Sequence, residues 1–117
     1  MASKRTTASR DTLSQTIDLL SVALTMILQQ ARMSTDDTKL LQLNNEYHAL
    51  QSLLNQATRA ELAANDAIFD RSTQSFKAQA RTLEGMADHV KLIVSDVKIA
   101  SEVAGYIVQV LALVATL

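Results

Sequence analysis

The sequence predicts an all-helical protein: a three-helix antiparallel bundle or coiled-coil hairpin, with short connections and a long C-terminal helix. Three observations carry this. Two glycines and no proline among 117 residues are too few for the reversals of a turn-rich β fold. Hydrophobic residues make up 48% of the chain, with 3% aromatic, which is too much aliphatic side chain for a disordered polymer. Apolar residues also recur at alternating spacings of three and four over three long stretches.

The first ten residues, MASKRTTASR, carry Lys4, Arg5 and Arg10 without an acid, and no aliphatic side chain larger than Ala after Met1. Such a stretch has nothing to pack, so residues 1–11 are expected to form a disordered arm. No apolar segment follows as a Sec signal would require. A solvated tail is the simple reading; a non-Sec export signal or a weak contact with an anionic surface is the alternative.

Helix 1 is expected over residues 12–33. Thr12-Leu13-Ser14-Gln15 fits a capping box, in which the hydroxyl takes an amide of the first turn and Gln15 reaches back. Leu13, Ile17, Leu20, Leu24, Ile27 or Leu28, and Ala31 then form a seam. From Leu19 to Ala31 no residue is charged. Leu19, Val22, Ala23 and Met26 widen the stripe, so this helix wants neighbours on more than one side.

Ser34-Thr35-Asp36-Asp37 punctuates the chain, with Ser34 able to cap and two acids suited to a first turn. Helix 2, residues 35–68, carries the heptad series Leu40, Leu43, Tyr47, Leu50, Leu54, Ala57, Glu61, Ala64 and Ile68. Glu61 alone breaks its character, and a lone polar residue in a seam commonly fixes register at some cost in stability. Asn65-Asp66 and Asp70-Arg71-Ser72-Thr73 are turn formers. The turn is placed near residues 69–73, with one unbroken helix as the alternative.

Helix 3, residues 72–117, has the seam Phe76, Ala80, Leu83, Ala87, Val90, Val94, Val97, Ser101, Ala104, Val108, Leu111 and Ala115. Its outer positions are charged as far as Glu102. From Val103 to Leu117 no residue is charged. At 1.5 Å per residue, helix 2 spans roughly 50 Å and helix 3 roughly 70 Å. Folded about residue 70, the hairpin leaves everything after Gly105 projecting. Burying one large aliphatic side chain is worth about 1.5 to 3 kcal/mol, so the projecting end needs a cover. Helix 1, a fold-back hinged at Gly105, another protein chain or lipid can supply it.

Chemistry-bearing patterns are sparse. The chain has no Cys, and therefore no disulfide, thiolate metal site or cysteine nucleophile. It has no glycine-rich phosphate loop, GxSxG or HExxH. A net charge of −1, unclustered Lys and Arg, and few aromatics give no nucleic-acid surface. His48 and His89 fall roughly level on adjacent helices. Neither has a Glu three residues before it, so they read as boundary histidines rather than as a bundle metal site.

The expected function is therefore non-enzymatic: a helical interaction protein, self-associating as a homo-oligomer or binding a helical protein partner. Its contact residues are expected to be Ile107, Val108, Val110, Leu111, Leu113, Val114 and Leu117, with Leu20, Leu24 and Ile27 of helix 1 and Glu61 setting register. The alternative is a membrane-active or secreted helical protein, a pore former or secretion-system component, using residues 19–31 and 103–117 as a concealed apolar head. Both stretches are shorter than the roughly 20 apolar residues of a spanning helix. No cofactor, metal or nucleic acid is expected. Absent Cys and the missing Sec signal suit a cytoplasmic protein. Helical hairpins of this size are common among bacterial secretion components and their chaperones, an analogy of class that assigns no role.

Overall fold

A computed structural model describes residues 4–117, with side chains from Ala8 onward, and among these residues all regular structure is helical. Five helices follow one another: α1 Lys4–Met33, α2 Asp37–Glu61, α3 Asp66–Lys77, α4 Ala80–Ile93 and α5 Val97–Val114. α1 packs on α2 and α5, α2 on α4, and α4 on α5, closing a ring of four, while α3 packs on α2. A body 52 Å long with a cross-section of 20 by 19 Å fits helices set two by two, with axes about 10 Å apart. The sequence led to three helices. The chain makes five, and the third leg of the bundle is shared by α3 and α4.

The expected arm is the first point of difference. Residues 1–3 lie outside the described residues, but Lys4–Asp11 are the first turns of α1. Helix 1 thus begins well before Thr12, and no capping box forms there. The Thr12 hydroxyl donates instead to the Ala8 carbonyl at 3.0 Å. Thr16, fully buried, is satisfied in the same way by the Thr12 carbonyl at 2.9 Å. A hydroxyl bonded back into its own helix can enter an apolar core without an unmet donor.

α2 starts as its acids suggest, two residues later than Ser34 implies. Asp36 is the cap, accepting from the Lys39 amide at 3.0 Å, and Asp37 lies in the first turn. Its buried stripe is Leu43, Glu46, Leu50, Leu53, Ala57 and Ala60. Leu40, Tyr47 and Leu54, expected on the seam, are half-buried flanks against the core. α2 faces α1 on one side and α3 with α4 on the other, so its innermost line falls between two neighbours. That line takes the other member of each adjacent pair.

The turn expected at residues 69–73 lies at residues 62–65. Asn65 caps α3, accepting from the Ile68 amide at 3.0 Å. Glu61 is accordingly the last residue of α2 and half-buried, not a polar insertion within a continuous seam. α3 and α4 are separated by a tight step, in which the Gln79 amide reaches the Phe76 carbonyl at 3.0 Å. The buried series Phe69, Thr73, Phe76, Leu83, Ala87 and Val90 continues through that step in unchanged phase.

The expected long helix 3 ends at Ile93. Val94 is extended, and Asp96 caps α5 by accepting from the amides of Lys98 and Ile99 at 3.0 and 3.1 Å. The uncharged end therefore does not project. It turns back over α1 and α4, and the hinge is Val94–Asp96 rather than Gly105, which lies inside α5. The phase of the seam is reset at that turn. Val97 is 82% exposed and Val108 55%, whereas Ala100, Val103, Ala104, Ile107, Val110 and Val114 are buried.

Candidate functional site

The α2 stripe carries a carboxylate into the core. Glu46 is 5% exposed, and its Oε2 lies 3.2 Å from Nδ1 of His89 on α4. His89 sits beside buried Val90 at the rim of α4, half in solvent. Oε1 of Glu46 is buried without a hydrogen-bond partner. Burial raises the Glu46 carboxyl above its ordinary value of 4.5, while the hydrogen bond and charge of His89 pull it back in part. A carboxylate can orient an imidazole in this way. A reaction would also need a recess for substrate beside the ring. Among the described residues, grooves lie between α2 and α3, at the α1–α2 and α4–α5 turns, and on α1, and neither residue lines these.

His48 does not meet His89. It stands exposed two residues after Glu46, with its ring edge-on to Tyr47 at a centroid distance of 5.6 Å. Among the described residues no group of three or more His, Asp or Glu is gathered as a metal would require.

Of the expected contact residues, Ile107, Val110, Val114, Leu117, Leu20 and Ile27 are buried inside the chain. Leu24, Leu111 and Leu113 are half-buried, and Val108 alone faces outward. The fold-back explains this, because α5 lays its apolar line against α1 and α4 instead of offering it to another molecule.

What remains outside is the uncharged side of the same two helices. Lys39 Nζ donates to Ser95 Oγ at 2.9 Å, so the start of α2 and the α4–α5 turn share one end of the bundle. The end of α1 is there too, since Gln30 and Met33 line the same groove as Lys39 and Ser95. α5 therefore descends antiparallel to α1, and the two uncharged stretches run side by side. Outward on α1 are Val22, 43% exposed, Thr25 and Gln29, along a shallow depression shared with Ser21 and Met26. Outward on α5 are Val108, Gln109 and Ala112.

Two polar contacts were hidden from the sequence reading. Glu46 stands near His48 in the sequence, but its burial and its contact with His89 were not foreseen because its neighbour Tyr47 completed the heptad. Arg10 was assigned to the arm. Its guanidinium donates to the carbonyls of Glu61 and Ala63, the second at 2.9 Å, and lies 4.5 Å from the centre of the Phe69 ring. It thus closes the C-terminal end of α2, where free carbonyls and the helix dipole favour a cation. Comparison with known proteins gives no match to a family, a curated protein or a solved structure.

Proposed function

We propose that this chain is a non-enzymatic helical interaction protein that associates with a second copy of itself through the outward side of α1 and α5. The observation that carries the reading is the antiparallel pairing of the two uncharged stretches, 19–31 and 103–117. Identical faces meeting about a twofold axis carry identical charge, so an uncharged face can meet its own copy without repulsion. Nor does it bury ions at a desolvation cost. Val22 and Val108 supply apolar contacts. Ala112 allows close approach, and Thr25, Gln29 and Gln109 can hydrogen-bond across the join. The burial of Glu46 inside the helix core supports a structural rather than a catalytic pair with His89.

Light scattering across a wide concentration range tests this. The expected result is a dimer or larger species that becomes monomeric in the Val22→Asp, Val108→Asp double variant with helical content unchanged. Both side chains are exposed in the single chain, so the variant keeps its fold. A wild-type chain that stays monomeric at its highest soluble concentration overturns the reading.

A membrane-active role is the second reading, and one observation favours it. Ala8–Met33 and Val97–Val114 are each long and apolar enough to cross a bilayer, with only 28% and 33% of the most apolar window buried in the bundle. Flotation with lipid vesicles of the wild-type chain, lost in the double variant, would support it.

A further inference from the structure

α2 and α3 leave an open groove of about 490 Å³, lined by Gln56 and Arg59 on one bank and Ile68, Arg71, Ser72 and Ser75 on the other. Helical spacing makes the banks: residues three or four apart share a helix edge. The lining holds two guanidiniums, two hydroxyls and a carboxamide. None of these five side chains takes part in the side-chain hydrogen bonds formed among the described residues of α2, α3 and α4. The carboxamide oxygen of Gln56 is buried with no partner.

Neither guanidinium has a carboxylate within 4.0 Å among the described residues, whose one such pair is His89 with Glu46. Asp70 precedes Arg71 by one residue and is therefore rotated about 100° around α3. Glu61, two residues from Arg59, keeps its Oε2 buried and unbonded. The positive charge of the groove is thus left unused by the fold.

The shape of that donor set selects among anions. A carboxylate is satisfied by one guanidinium in a two-pronged contact. Donors standing on two opposite banks suit a tetrahedral anion with three free oxygens, which can accept from both sides at once. The volume lies in the range of small-molecule sites, about 300 to 1,000 Å³. Ile68, 41% exposed, offers an apolar contact beside the charges.

We propose that the groove between α2 and α3 binds the phosphate group of a small phosphomonoester. Arg59 and Arg71 clamp the oxygens from opposite banks, Ser72 and Ser75 donate hydroxyl hydrogen bonds, and Ile68 lies against the organic part. This site is on different helices from the proposed self-association face and stands or falls independently of it.

Phenyl phosphate is the probe, followed by amide chemical shifts in the intact chain. Saturable binding is expected, with shifts gathered at residues 56–59 and 68–75. Arg59→Gln with Arg71→Gln weakens it by about tenfold or more, and benzoate binds about tenfold more weakly than phenyl phosphate. The control pair Lys77→Gln and Arg81→Gln leaves the affinity unchanged. Arg59 and Arg71 are exposed, so their removal spares the core. Shifts that never saturate, an equal loss in the control pair, or benzoate binding as tightly as phenyl phosphate each overturn the proposal.

Discussion

Around Glu46 and His89 the core is enclosed by α1, α2, α4 and α5, whereas around Phe69 it is shared by α1, α2 and α3. The difference follows from length. α5 has 18 residues and reaches about 27 Å, beside a leg that runs from Asp66 to Ile93. The four-helix half is filled by aliphatic side chains such as Leu20, Ile27, Leu50, Val90 and Ile107. The three-helix half holds both phenylalanines of the chain, Phe69 and Phe76, and is closed by Arg10. Among the described residues, three of the four buried side-chain polar atoms without a partner, on Gln56, Glu61 and Thr73, belong to α2 and α3 on that side. With one helix fewer, larger rings and a polar clamp occupy the space that a fourth backbone fills elsewhere. Fewer apolar neighbours and unmet polar atoms also mark the region that opens first.

The sharpest break in this contrast comes from the better-packed half. Ile107→Ala leaves a cavity where α5 meets the core, and is expected to cost about 3 kcal/mol in urea unfolding. A loss below about 1 kcal/mol would mean that α5 is only loosely seated. Arg10→Ala probes the other half. Two hydrogen bonds to carbonyls and the contact with Phe69 are together worth about 2 kcal/mol. Hydrogen exchange should show lost protection at residues 8–15 and 60–70, with α5 unchanged. Equal loss in α5 would erase the distinction between the halves.

The smallest effect concerns Glu46. Its folded carboxyl holds a proton more tightly than the unfolded one, so the stability it contributes is present below 4.5 and declines as pH rises through the folded value. Contact with His89 offsets part of that decline. Glu46→Gln removes the titration. Between about pH 4 and about pH 7, wild type should lose stability relative to the variant. Unfolding curves that move in parallel with pH would show that the buried carboxylate carries no such load.

Helical class and the spacing of three and four were legible because they need only the order of apolar residues. So was the need of the uncharged C-terminal end for a cover, with helix 1 among the candidates, since Ile107 and Val110 have to leave water. Helix ends were not, and the reason is specific. Asn65-Asp66 and Ser95-Asp96 carry capping chemistry, but the heptad count ran on through both, and a period counted along the chain has no term for a cap. The neighbouring choice between Tyr47 and Glu46 depends on where α1 and α4 stand around α2, which one helix's sequence does not contain. Arg10 stayed hidden because both carbonyls it meets lie more than fifty residues away.

The turn at Val94–Asp96 has a consequence for how the chain is made. Leu20 and Ile27 leave the ribosome more than seventy residues before Val103 and Ile107 of α5, the helix that packs against α1. For that interval α1 and α2 can pair as a hairpin, but the side of α1 meant for α5 stays open to water and to other nascent chains. Closing the ring of four helices is thus the step of greatest sequence separation, and contacts of that kind are slow to form. A holding factor that recognises uncharged helices would find its target in this chain during synthesis and lose it once α5 has docked.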